Sequence, residues 1–218
     1  MQTIVAIAYH TGYGHTGRLA EAVAKGASEV PGTTVEQHAV DQLTEDDWQA
    51  LDRADAIIFG CPTYMSSASA AFATFKEATS KVWADNMRWR DKIAAGFTNS
   101  GNMSGDKLNT LVQIALLASQ HGMVWVGLDR YGGWNTSAGA PSDTNRLGSW
   151  LGAMSQSNND EGPDTAPIGS DLETAAALGR RVARFTKLHR AGDTYLSGTE
   201  DGSRDAVLSG SGTGECAG

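Results

Sequence analysis

The octapeptide Tyr9-His10-Thr11-Gly12-Tyr13-Gly14-His15-Thr16 combines hydroxyls and glycines with no lysine or arginine; the first cation after it is Arg18. Such a stretch suits anion binding. Backbone N–H groups freed by Gly12 and Gly14, with the hydroxyls of Thr11 and Thr16, can converge on one phosphate if a helix follows and lends its positive end. Charge-assisted hydrogen bonds contribute about 1.5–3 kcal/mol each and the helix dipole up to about 2 kcal/mol. Roughly four or five such donors would hold a phosphate monoester without a cationic side chain. The competing reading is an ordinary strand–helix turn. No G-x-x-x-x-G-K-[ST] occurs, which excludes a P-loop nucleotidase. A G-x-G-x-x-G dinucleotide fingerprint is excluded as well, the spacing from Gly12-x-Gly14 to Gly17 being read as not matching it.

Two further polar clusters follow apolar runs. Gly60-Cys61-Pro62-Thr63-Tyr64-Met65 closes one, and Thr98-Asn99-Ser100-Gly101-Asn102-Met103 closes another. Either alone reads as a plain loop. Three such clusters, each directly after an apolar run, point to one site at a common edge.

The elements that must position them follow from the pattern. Thr3 to Tyr9 is a near-continuous apolar run, as in a strand buried on both faces. A helix is expected from about Thr16 to Glu29, with Leu19, Ala20, Val23, Ala24 and Ala27 as its stripe, ended by Pro31-Gly32. Thr33 to Val40 reads as a second strand, and Thr44 with Asp47 as a capping box opening a short helix. Asp55 to Cys61 is a third strand, stopped by Pro62. A helix from about Ser69 carries Phe72 and Phe75 on one face. Lys92 to Thr98 is a fourth strand. A helix from about Asp106 presents Leu108, Leu111, Val112 and Ala115 and ends at Gly122; Met123 to Leu128 is a fifth strand. Residues 129–169, rich in Gly, Ser, Asn and Asp, form an ordered insertion on the ligand side. A last helix opens with Ser170 and Glu173 and runs to about Arg190, with Leu172, Ala176, Val182 and Phe185 turned to the core. Residues 192–218 read as a disordered Gly/Ser-rich tail after one domain over 1–190. Alternating strands and helices imply an α/β, doubly wound, five-stranded parallel sheet in a three-layer α/β/α arrangement. Five strands suggest the flavodoxin-like order 2-1-3-4-5, with ligands at the carboxyl ends of strands 1, 3 and 4.

Composition narrows the partners. The 218 residues carry a formal net charge of −8, which argues against nucleic acid or an anionic membrane surface. No apolar run reaches the roughly 18–20 residues of a membrane span, and no secretory signal is visible at the start. Cys61 and Cys216 are the two cysteines. Pairing them would tie core to tail, so both are expected as free thiols in the cytoplasm. No metal is called for.

The motifs resemble those of the WrbA-type NAD(P)H:quinone oxidoreductases, a branch of the flavodoxin-like superfamily, from Thr3 to about Leu188. Thr11-Gly12-Tyr13-Gly14-His15 is similar to that family's S-x-Y-G-H, and Gly60-Cys61-Pro62-Thr63 to its G-x-P-T. Thr98-Asn99-Ser100-Gly101 resembles its strand-4 motif. His121-Gly122-Met123-Val124-Trp125-Val126-Gly127-Leu128 resembles H-G-M-x-x-V-G-L, and Trp83 matches a family tryptophan. Tyr64-Met65 departs from the usual Arg-Phe, Ser66-Ser67-Ala68-Ser69 from a Gly-rich helix start, and residues 129–165 match poorly. The resemblance implies FMN, with its phosphate on residues 11–16 and its ring across residues 62–65 and 98–103. It implies NAD(P)H as co-substrate, a quinone-like acceptor, and a homo-oligomer, dimer or tetramer, in which Trp83 and His121 border the pocket. His121 then becomes the candidate proton donor or polarising group, against a plain helix-ending role. A flavodoxin-type electron carrier and an FMN-binding regulatory protein without turnover are the alternatives.

Overall fold

The computed structural model describes residues 1–208. It divides into two units, Met1–Thr186 and the described residues from Lys187 on. In the first, parallel strands alternate with helices: β1 (Thr3–Tyr9), α1 (His15–Ser28), β2 (Thr33–Ala39), α2 (Glu45–Arg53), β3 (Ala56–Tyr64), the two-residue β4 (Ser67–Ala68), α3 (Ala70–Ala78), α4 (Ser80–Ala84), β5 (Ile93–Ser100), α5 (Lys107–Gln120), β6 (Val124–Trp125), β7 (Ala153–Gln156) and the start of α6 (Gly169–Leu208).

The sheet runs β2-β1-β3-β5-β6, with β4 paired to β3 and β7 to β5. Counted by position this is the expected order 2-1-3-4-5, and its fifth place is shared. β6 pairs with Ile93 and Ala94 at the start of β5, and β7 pairs with Phe97 to Ser100 at its end. The strand expected over Met123 to Leu128 is therefore two residues long. Val126 still donates its N–H to the Ala94 carbonyl at 2.8 Å, but a Cβ at Gly127 would lie 2.7 Å from the Trp150 carbonyl oxygen. There the chain leaves the sheet, and residues 153–156, inside the stretch read as one insertion, return to complete it.

Alternation along the strands sorts the core into two layers. Val5, Ile7, Ile58 and Phe97 pack with Leu19 and Val23 of α1 and Leu178 and Val182 of α6. Ala6, Ile57 and Phe59 face Leu51 of α2, Phe72 and Phe75 of α3, and Ile114 of α5. The Thr44–Asp47 capping box opens α2 as read from the sequence. Phe185, expected in the core, is exposed, as are Leu108 and Val112 of the apolar positions on α5; the Arg181 guanidinium lies over the Phe185 ring.

Pro62 does not stop β3, which continues to Tyr64. Pairing of β1 with β3 ends at Gly60, so a residue without an N–H forfeits no ladder bond on that side. The helix expected to end near Arg190 continues to Leu208. Extending a nucleated helix costs far less than starting one, and no proline intervenes. Of the tail read as disordered, 192–208 is thus helical, and residues 209–218, including Cys216, lie outside the described residues.

Candidate functional site

The carboxyl ends of β1, β3 and β5 open onto a cavity of about 1060 Å³, at the upper end of the range for ligand pockets. The structure brings the three sequence clusters together around it. Tyr13, His15 and Thr16 form one wall; Pro62, Thr63, Tyr64 and Met65 a second; Asn99, Ser100, Gly101 and Asn102 a third.

Thr11, Gly12 and Gly14 shape the first loop rather than face the cavity. The Thr11 hydroxyl accepts from the N–H groups of Gly14 and Gly17, both at 3.1 Å, and so curls the chain into α1. Gly14 has φ +90°, and a Cβ there would sit 2.8 Å from Pro163. Among the described residues, the N–H groups of Gly12, Tyr13, His15 and Thr16 have no acceptor. Three of these, on Tyr13, His15 and Thr16, belong to residues that line the cavity, at a helix start where backbone donors and the helix dipole favour an anion. Gly12, Gly14 and Gly17 do stand at G-x-G-x-x-G spacing, a correction to the sequence reading. The sheet order remains flavodoxin-like rather than that of a dinucleotide-binding Rossmann fold.

The second wall carries strain. Met65 and Ser66, with φ 47° and 64°, are left-handed and turn β3 back into β4, as a two-residue hairpin demands. Met65 is 97% exposed. Tyr64 crosses toward the first loop: a Cβ on Gly12 would meet its hydroxyl at 2.3 Å, and its ring stands edge-on to Tyr13 at 6.3 Å. Burial, then the Tyr13 hydroxyl, pushes the Tyr64 phenol above its ordinary pKa.

Behind the walls runs a chain of threonine hydroxyls. Thr98 donates to the Cys61 carbonyl at 2.7 Å, so it accepts from Thr63 at 2.9 Å, and Thr63 in turn accepts from Thr110 at 2.8 Å. Thr98 is thus a support beneath the site, not part of its surface. Met103 lines a neighbouring cavity instead. Burial pushes the Cys61 thiol up to about 12, an inert thiol beneath the floor.

Sequence reasoning missed a fourth wall, Ser157, Asn159, Glu161 and Gly162. The Glu161 carbonyl accepts from His15 Nε2 at 2.8 Å, tying this strap to the first loop. Ser155 and Ser157 donate to Asn99 Oδ1 at 2.6 and 3.0 Å. With both acceptor positions filled, Asn99 offers its amide nitrogen to the cavity. The polar run Ser155 to Asn159 after Ala153 was the available signal.

Trp83 and His121 lie together elsewhere, in a separate cavity of about 440 Å³ beside α3, α4 and α5. His121 is buried, its ring 4.9 Å from that of Trp89. Thr79 gives its hydroxyl proton to the Lys76 carbonyl, so the His121 Nε2–H donates to Thr79 at 2.9 Å. Nδ1 is then the deprotonated nitrogen, buried without a partner, and burial holds the imidazole pKa below its ordinary value. Within one chain, His121 is a neutral ring outside the cavity at the strand ends.

Comparison with known proteins agrees with this geometry. Residues 4–129 match the family described as NADPH-dependent FMN reductase. A Pseudomonas aeruginosa protein named flavodoxin FldP is 43% identical over 179 residues, 82% of this chain and 94% of that protein. NAD(P)H dehydrogenase (quinone) 3 of Rhizobium meliloti is 26% identical over 214 residues, 89% of this chain and 97% of its own. The crystal structure of a flavodoxin, WrbA-like protein from Agrobacterium tumefaciens superposes with TM-score 0.66 at 41% identity, covering 86% of this chain and 99% of that one. The chain belongs to the NADPH-dependent FMN reductase family and is, within it, a WrbA-type flavodoxin-like protein.

Proposed function

We propose that the protein binds FMN in the cavity at the strand ends and carries two electrons from NAD(P)H to a quinone-like acceptor. The observation that supports FMN most directly is the donor set. The unpaired N–H groups of Tyr13, His15 and Thr16 at the start of α1 suit a phosphate, while Asn99 and the 101–102 backbone offer donors to a polar ring edge. Asp106 and Glu161 are the carboxylates on the walls, so the cradle relies on backbone dipoles rather than on cationic side chains. Bound FMN would supply the hydride-accepting and electron-donating ring; the protein's part is to hold it, shield it and leave one face free. Tyr13 and Tyr64 put aromatic surface on one side only, and residues 98–103 contain no aromatic. Space on the uncovered side admits a second planar molecule, which an enzyme needs and a carrier does not. A homo-oligomer belongs to this reading. The exposed row Leu108, Val112 and Leu116 on α5 supports it, and a second chain could then bring its Trp83 and His121 to the mouth of the cavity.

A one-electron carrier is the second reading, favoured by the name of the Pseudomonas relative. Anaerobic mixing of FMN-loaded protein with NADPH, then NADH, separates the two. Rapid loss of oxidised-flavin absorbance, restored by benzoquinone, is the expected result. Bound flavin that neither nucleotide bleaches would sink the reductase reading and leave the carrier.

A further inference from the structure

Lys107, the first residue of α5, is fully buried. Its position is unfavourable on three counts. A buried ammonium loses its hydration, a cation opposes the positive end of its helix, and Arg146 adds like charge. A site that breaks several local rules at once and is compensated by specific partners invites a functional explanation.

The compensation is specific. An ammonium has three donors, and all are used: Nζ donates to Ser100 Oγ at 2.7 Å, the Asn102 carbonyl at 2.7 Å and the Met103 carbonyl at 2.9 Å. The two preceding carbonyls are also held, Ser100 by the Ser157 N–H at 3.1 Å and Gly101 by Gln156 Nε2 at 2.9 Å. Four successive carbonyls are therefore bound by the protein. In a planar trans peptide each C=O points opposite to the next N–H, so the N–H groups of Gly101 to Ser104 point away from those partners. None of the four has an acceptor among the described residues, and Gly101 and Asn102 line the cavity. The turn is held in a costly shape to achieve this: Gly105 and Asp106 are both left-handed, at φ 53°.

We propose that Lys107 is a positioning residue for the cofactor site. Its ammonium gathers the loop's carbonyls inward, so the loop shows N–H groups and positive potential to an electron-rich ring edge. It thereby favours the reduced, anionic form of bound FMN over the oxidised form. This inference rests on the FMN reading above. The charged groups facing Lys107 are Asp171 of α6 and Arg146 of the 126–152 segment, with Asp106 next to it at the N-cap of α5. Burial, against the pull of Asp171, sets its pKa at about 8.

The test uses the full chain, wild type and Lys107→Met. Affinities for FMN and riboflavin are read by flavin fluorescence, and the two-electron midpoint potential by equilibration with a reference dye at pH 7 and 9.5. The expected result is weaker binding of both ligands, by a similar factor, in Lys107→Met. The ratio of affinities for reduced and oxidised FMN falls at least tenfold, a midpoint about 30 mV lower for a two-electron couple. Wild type loses a similar part of this preference between pH 7 and 9.5, beyond any change shown by the variant. Lys107→Arg, which keeps a cation, retains more of the preference than Lys107→Met. A ratio within twofold of wild type in Lys107→Met overturns the inference while leaving FMN binding intact. Should that variant fail to fold, the wild-type pH series decides: a midpoint that tracks free FMN across the range overturns it. Wild type that binds no FMN sinks the cofactor reading, and this inference with it.

Discussion

Arg146 and Asp171 join the 126–152 segment to α6 through two bonds of 2.8 Å, from Nε to Oδ1 and from NH2 to Oδ2. Their side chains are 4% and 2% exposed. Breaking a buried pair by removing one partner leaves an uncompensated charge and costs about 3–5 kcal/mol. Asp171→Asn keeps an acceptor for the Gln156 N–H, which donates to Oδ2 at 3.0 Å, so it belongs near the low end, about 3 kcal/mol. Arg146→Met leaves the carboxylate with that N–H and the charge of Lys107 and should cost about 3–5 kcal/mol near neutral pH. Arg146→Met with Asp171→Leu removes both charges and should lie within about 2 kcal/mol of wild type. Urea unfolding curves with equal slopes measure each difference. Single-variant costs below about 1 kcal/mol, or a double variant equal to the sum of the singles, would refute the reasoning.

Other outcomes follow from the same geometry. Gly26→Ala puts a Cβ 1.9 Å from the Ala176 carbonyl oxygen. Overpacking against backbone should cost about 1–3 kcal/mol despite a helix-propensity gain of about 1, lowering the urea midpoint. Thr44→Ala removes the α2 cap and should cost about 1 kcal/mol. Bonds from the Thr44 hydroxyl and N–H, then His38, hold the Asp47 carboxyl at about 2. A lowered acid stabilises the fold above its unfolded value and stops doing so as pH falls through its folded one, so the gap between wild type and Thr44→Ala should narrow from pH 4 to 2 in acid unfolding. Lys107, at about 8 against an ordinary 10.5, binds fewer protons folded than unfolded across that window, so stability should rise with pH above about 8. Cys61 has the opposite sign: at about 12 against 9.0, it withdraws stability above pH 9. The two slopes cancel between about pH 9 and 10.5, so a broad maximum near pH 10 is expected in chemical unfolding. Lys107→Met should flatten the rise, and Cys61→Ala the fall.

Much of this was legible because the signals are local. The apolar run at Thr3, the Thr44–Asp47 cap and Gly122, whose φ of +70° ends α5, each act within a few residues. The three clusters at 11–16, 62–65 and 98–103 lie where strand ends must converge. The rest depends on partners distant in sequence. Pro62 continues β3 only because β1 has already ended. β7 is four residues whose strand character comes from the free edge of β5. Ser155 and Ser157 matter through Asn99, more than fifty residues earlier. Nothing near Lys107 in sequence reveals the oxygens that receive its ammonium. His121, singled out by a motif, points into another cavity because the Trp89 ring and the Thr79 hydroxyl claim it.

The shared fifth position of the sheet has a consequence for biosynthesis. A chain emerging from the ribosome through residue 128 already spans nearly the whole family match, residues 4–129, and three walls of the cavity. It lacks the serines that orient Asn99, the N–H that holds the Ser100 carbonyl and the strap that meets His15. During translation the nascent sheet keeps the outer edge at the end of β5 unpaired until residues 153–156 arrive. An exposed strand edge invites pairing with another chain, and domains generally fold as units as they emerge. Completion of the cavity is therefore a late event in synthesis, and slowing translation within codons 129–152 should lengthen the time this edge stands open.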